Sequence, residues 1–215
     1  MQAIANIFSK SDFRKICNRL AKKDKRLAGI IKEYGYPPFW SRPATFQSLI
    51  LFILEQQVSL ASAYAAFTKL KARMGHITPP KILVLADKDL RACYFSRQKI
   101  IYARELALAI KHKKINLKKH KVMSDEAIRD EMIKVKGIGH WTIDVYLMHC
   151  LQRSDLFPLG DIALVKSMKE IFGLKQDIEK QKISEIAETW RPYRTIASMI
   201  LWHSYIKKRN IKIQE

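Results

Sequence analysis

Cysteine is scarce in this chain of 215 residues: Cys17, Cys93 and Cys150 stand far apart and form no CxxC pair. Neither a disulfide framework nor a four-thiolate metal or iron-sulfur centre can be built from them. Long apolar runs are missing too. The most apolar stretch, Ser48 to Leu54, falls far short of the ~18 residues needed to span a bilayer. The opening MQAIANIFSK has no basic segment followed by an apolar core, so no secretory leader and no membrane partner are expected. The six histidines are scattered without metal-ligand spacing, which leaves no metal site made by side chains. Acid is the other shortage. Twenty Asp+Glu stand against forty Lys+Arg, a net charge of +20, and such a surface favours a polyanionic partner. What is present is core material: 48% hydrophobic and 10% aromatic residues exclude wholesale disorder.

Helical periodicity dominates, and no window alternates apolar and polar residues between hairpin turns, so the fold class read from sequence is all-α. Candidate helices cover residues 11–33, 44–57, 59–74, 80–86, 87–93, 97–112, 125–135, 141–152, 162–172, 178–189 and 192–208. Stops such as Gly35-Tyr36-Pro37-Pro38, Thr78-Pro79-Pro80 and Phe157-Pro158-Leu159-Gly160 separate them. One biased stretch, Lys111 to Lys121, holds six lysines in eleven residues and no acid. It reads as a solvated loop or as a DNA contact.

The most informative segment runs from Ser124 to Leu151. A helix opened by Ser124 or Asp125 leads into the turn Lys136-Gly137-Ile138-Gly139-His140, and a second amphipathic helix follows. This is a helix-hairpin-helix pattern. Its glycines allow a tight turn and close approach to another backbone, Ile138 can plug the gap between helices, and N–H groups at the second helix start form an anion site. Such a turn holds phosphate without reading bases. With +20 charge on the chain and Lys134 beside Lys136, phosphate binding outweighs a plain αα-turn.

Beyond the hairpin the sequence resembles the helix-hairpin-helix (HhH-GPD) DNA glycosylase superfamily, in its 3-methyladenine DNA glycosylase II (AlkA-like) branch. The matching residues are the loop Phe157-Pro158-Leu159-Gly160-Asp161, with Asp161 standing 22 residues after Gly139, and three further blocks in the same order: Phe46 to Ser59 containing Gln56-Gln57, Phe95-Ser96-Arg97-Gln98-Lys99, and Trp190-Arg191-Pro192-Tyr193-Arg194 running to Trp202. The resemblance implies a single two-lobed helical unit with its active site in the interlobe cleft. Lobe one would span about 44–124, and lobe two about 1–43 plus 125–215, with the hairpin at 125–151. Too few residues precede Phe46 for the N-terminal β-rich domain of long bacterial members, so the compact form is expected.

The same resemblance assigns roles. Asp161 would be the catalytic carboxylate, stabilising the positive charge that develops on the sugar as the base leaves. Its residue type and place also suit plain helix capping, and the two are compatible. Where relatives that also nick the strand carry a lysine, this chain has Trp141, which implies a monofunctional enzyme without lyase activity. Trp141 and Trp202, with Tyr146 as the available aromatic neighbour, would line the base pocket, stacking on a cationic alkylated purine. Phe95 is the expected wedge filling the gap left by the flipped base. Gln56, Gln57, Arg97 and Lys134 are candidate DNA contacts. The hairpin carbonyls are expected to hold a monovalent cation, Na+ or K+. The expected partner is duplex DNA bearing alkylated bases, met as a monomer, in the cytoplasm at the nucleoid or in the nucleus of a eukaryote. The alternative is a non-catalytic helix-hairpin-helix DNA-binding protein.

Overall fold

The computed structural model describes residues 6–213. Among these residues no strand forms, and the only bridge is an isolated antiparallel one between Ile7 and Arg153. The all-α reading holds. The chain divides into two compact units, one built on Arg42–Tyr146 and the other on residues 6–41 and Leu147–Lys212.

The first unit is organised on α3 (Phe46–Glu55), which buries all but three of its residues, as expected of a core helix with little polar face. Thr45 caps it by accepting from Ser48 N. Against it pack α4 (Leu60–Met74) and α7 (Arg97–Lys111), and α5 (Pro79–Val84) and α6 (Asp87–Ala92) pack on α7. A long loop then leads to α8 (Asp125–Met132) and α9 (His140–Cys150). The division between units falls inside α9, after Tyr146.

The resemblance groups the hairpin, 125–151, with the N-terminal helix and the C-terminal helices, whereas the contacts group 125–146 with residues 42–124 and leave 147–151 with the second unit. Three bonds explain this. Gln56 Nε2 donates to Gly137 O and to Thr142 Oγ1, both at 2.9 Å. A Cβ on Gly137 would overlap Tyr102. Tyr146 and His120 share a buried hydrogen bond of 2.9 Å.

The second unit contains α1 (Lys10–Lys23), α2 (Lys25–Tyr34), α10 (Ile162–Phe172), α11 (Lys180–Glu188) and α12 (Arg194–Lys208). α12 is its axis, with every residue from Thr195 to Ser204 buried. The single helix expected over residues 11–33 is two helices. Asp24 ends the first and caps the second, accepting from Arg26 N at 2.9 Å and from buried Trp190 Nε1 at 3.1 Å. A side chain 166 positions away thus decides a boundary that local periodicity does not mark.

Candidate active site

Asp161 lies at the N-terminus of α10, where the chain comes off a tight loop. Asp161 N donates to Pro158 O at 2.8 Å and Leu159 N to Phe157 O at 2.9 Å. Its Oδ1 accepts from Leu164 N at 2.8 Å, the bond of an N-cap. The same oxygen accepts from Trp202 Nε1 at 3.0 Å. Two N–H donors therefore fix the carboxylate's direction, one from the start of α10 and one from the middle of α12. The residue is half-buried, with exposed Gly160 before it and exposed Ile162 after it. It is at the surface of its unit and not in packed interior.

Trp202 is 9% exposed, and His149 stacks on it with ring centroids 5.6 Å apart and 29° between planes. His149 Nδ1 lies 3.3 Å from Trp40 O. The sequence reading missed His149, because nothing local distinguishes a histidine near a helix end from an ordinary half-buried one. The resemblance implies a stacking wall at Trp202; its indole N–H also bonds Asp161, a contact no spacing could reveal.

Two expected site residues sit elsewhere. Tyr146 is fully buried in the first unit, its hydroxyl paired with His120 Nδ1, while His120 Nε2 is 3.0 Å from Glu131. Phe95 is not an exposed wedge. It is 3% exposed and directly precedes Ser96, whose hydroxyl caps α7 by accepting from Lys99 N. That is the N′ position of a hydrophobic staple, with buried Ile100 as its partner position. The exposed aromatic of this loop is Tyr94, 61% exposed with φ of 64° and Lys69 Nζ 4.0 Å over its ring. Trp141 is half-buried on the first turn of α9.

The hairpin has two glycines in different surroundings. Gly137 has φ of 92°, and a Cβ there would lie 2.1 Å from Tyr102 Cγ; both strain and overlap forbid a side chain. Gly139 is exposed, and a Cβ on it would meet nothing within 4 Å. Ile138 is 2% exposed and fills the gap between the helices as expected. Lys134, Lys136 and His140 are exposed around the start of α9, where first-turn N–H groups and the positive helix end favour an anion.

The glutamine pair also splits. Gln56 is the satisfied amide that braces the hairpin, and Gln57 is exposed with φ of 57°. Arg97 is exposed at the start of α7. Beside Gln57, a surface cavity of about 320 Å³ is lined by Val58, Ala63, Tyr94 and Lys99. Lys99 donates to Leu54 O at 2.7 Å, and burial lowers its pKa.

Helix-hairpin-helix geometry followed by a loop-borne aspartate defines a class of DNA-acting proteins, and the chain matches the HhH-GPD superfamily of base excision DNA repair proteins over residues 50–192. The chain belongs to that family. A Bacillus subtilis protein with the provisional name DNA-3-methyladenine glycosylase is 31% identical over 83% of this chain, and the chain spans 65% of that relative's length. An alkylbase DNA glycosidase-like protein of Schizosaccharomyces pombe is 28% identical over 89% of this chain and 93% of its own. Among solved structures, the 3-methyladenine DNA glycosylase of the same yeast, in complex with abasic DNA, superposes with a TM-score of 0.83 at 26% identity, covering 94% of this chain and 99% of that one.

Proposed function

We propose that the protein is a monofunctional DNA glycosylase of base excision repair, hydrolysing the N-glycosidic bond of alkylated purines of the 3-methyladenine and 7-methylguanine type. The observation that carries this reading is the surface carboxylate of Asp161, aimed by Leu164 N and Trp202 Nε1 in a chain whose hairpin matches the family. Asp161 sits beneath the sugar of the extruded nucleotide. As the C1′–N bond breaks, the base leaves with the bonding electron pair and the sugar gains positive charge, which the carboxylate stabilises. Water adds to C1′, its proton passes to the carboxylate or solvent, and an abasic site remains. The purine's ring-nitrogen alkyl group makes it a cationic leaving group, so no strong general acid is needed. Trp141 stacks on that base, adding on the order of 1 kcal/mol of cation–π attraction that a normal base lacks.

Because Trp141 stands two residues after Gly139, no amine is available there for Schiff-base chemistry, and strand nicking is not expected. Lys134, Lys136, His140 and the α9 N-terminus hold the phosphate backbone, while Gln57 and Arg97 contact the duplex nearby. The exposed left-handed residues Gln57 and Tyr94 replace Phe95 as candidates for the gap left by flipping. The carbonyls of residues 134–139 suit a hard monovalent cation. Val135, Gly137 and Gly139 each give one lone pair to a protein donor and keep a second. The protein acts as a monomer where genomic DNA lies, at the cytoplasmic nucleoid or in a nucleus.

The test is base release from duplexes carrying 3-methyladenine, 7-methylguanine, hypoxanthine or ethenoadenine, with a strand-nicking control. Release of the alkylated bases without nicking supports the reading; tight binding with no release from any of them supports the non-catalytic alternative. That alternative explains the bond from Leu164 N as a helix cap but gives no reason for the second donor, Trp202 Nε1, on the same oxygen.

A further inference from the structure

We infer that the lysine-rich loop between α7 and α8 is a second duplex-DNA surface, separate from the hairpin, that grips phosphates flanking the lesion. This inference rests on the DNA-acting reading but not on the chemistry at Asp161.

The loop is built, not slack. Lys113 takes φ of 57° to end α7, and Lys114 N and Ile115 N both donate to Ala109 O. Asn116 N donates to Glu131 Oε1 at 3.0 Å, and its own side chain and carbonyl accept from Lys118 N and Lys119 N. Two side chains anchor the loop in the core. Ile115 is 2% exposed and His120 is fully buried, the latter held between Tyr146 and Glu131. With those two turned inward, Lys111, Lys113, Lys114, Lys118, Lys119 and Lys121 are all exposed.

Like charges at this density repel one another, and acids nearby would relieve them. Among the described residues none of the six lysines makes an ion pair. Four carboxylates of this unit pair with arginines, Glu55 with Arg42, Asp89 with Arg73, Asp87 with Arg104 and Asp144 with Arg129, and Glu131 is engaged by Asn116 N and His120. Of the six lysines, Lys114 shares a cavity lining with acids, Glu105, Asp130 and Glu131. A folded loop that buries its two anchors while leaving six lysines exposed and outside any ion pair is complementary to an external polyanion.

Its position favours the same duplex that the hairpin holds. His120 is pinned to Tyr146, six residues along α9 from His140, which is about 9 Å of helix. Lysine side chains from there can reach phosphates a few nucleotides away. They read no base, so the surface adds affinity and scanning ability without sequence preference.

The experiment measures binding of the full chain to an undamaged 20-base-pair duplex by fluorescence anisotropy across a NaCl series. One variant carries Lys113→Gln, Lys114→Gln, Lys118→Gln and Lys119→Gln. A control removes equal charge from exposed positions in the other unit, Lys22→Gln, Lys175→Gln, Lys180→Gln and Lys182→Gln. The slope of log affinity against log salt should become shallower by about three to four for the loop variant, since each phosphate contact contributes about 0.9, and by less than one for the control. An unchanged slope, or equal loss in both variants, overturns the inference. So does an unchanged duplex slope accompanied by lost binding to phosphatidylserine vesicles, which would assign the loop to a membrane surface. Base release is not read, so failure here is distinct from failure of the glycosylase reading.

Discussion

The hairpin of the first unit and the carboxylate of the second are held in place by different means. The hairpin's path rests on backbone conformation, a glycine at φ of 92° pressed against Tyr102, steadied by an isoleucine plug and by the Gln56 amide spanning turn and helix. Asp161 is held by long-range side-chain geometry, through an indole 41 positions away that is itself covered by His149. A grip on a repeating phosphate backbone needs only main-chain N–H groups and room to approach. Charge stabilisation at one sugar needs an oxygen fixed in direction, and that takes side chains from separate helices.

The sharpest way to break this comparison is inside the hairpin. Gly137→Ala should cost several kcal/mol or prevent folding, because strain and overlap add. Gly139→Ala should leave the melting temperature within a few degrees of the parent yet weaken duplex binding. Equal melting temperatures for the two variants would mean that Gly137 has no special role. Next in size is Phe95→Ala, which should destabilise by about 3 kcal/mol in urea unfolding as a buried staple residue, whereas Tyr94→Ala should change stability by less than ~0.5 kcal/mol. The reverse order would restore Phe95 as an exposed wedge.

A smaller effect is expected at the carboxylate. Trp202→Phe keeps an aromatic ring for His149 but removes the N–H to Asp161. Single-turnover base release should slow about 10-fold, corresponding to about 1.4 kcal/mol, with duplex affinity retained; an unchanged rate would show that the indole does not aim the carboxylate. The smallest effect concerns acid stability in the second unit. Burial raises the pKa of Asp24, and the hydrogen bonds from Arg26 and Trp190 outweigh it, so the net shift is downward. A depressed carboxylate pKa contributes stability above its unfolded value, near pH 4, and loses it as pH falls through the folded value. Asp24→Asn should therefore flatten the fall in melting temperature below about pH 4; an undiminished fall would assign it to other groups.

The same contrast explains what the sequence could reveal. Helix positions, the hairpin and Asp161 are legible because glycines, caps and 3.6-residue periodicity act over a few neighbouring residues. The break at Asp24 was not, since Trp190 helps hold it there. Tyr146 and Phe95 have residue types that suit a pocket and a wedge, and only their burial, with Tyr146 bonded to His120, shows them to be interior. His149 carried no local mark at all, and its stack on Trp202 exists only in three dimensions. Gln56 and Gln57 are identical neighbours, and a left-handed backbone at the second leaves one amide bracing the hairpin and the other exposed.

The most direct test of the central claim is single-turnover release of 7-methylguanine from alkylated duplex DNA by Asp161→Asn. The substitution keeps the amide oxygen that can cap α10 but removes the negative charge. Release should fall by at least about 100-fold while duplex affinity and melting temperature stay near the parent's. Release at the parent rate would contradict the assignment of Asp161 as the catalytic group.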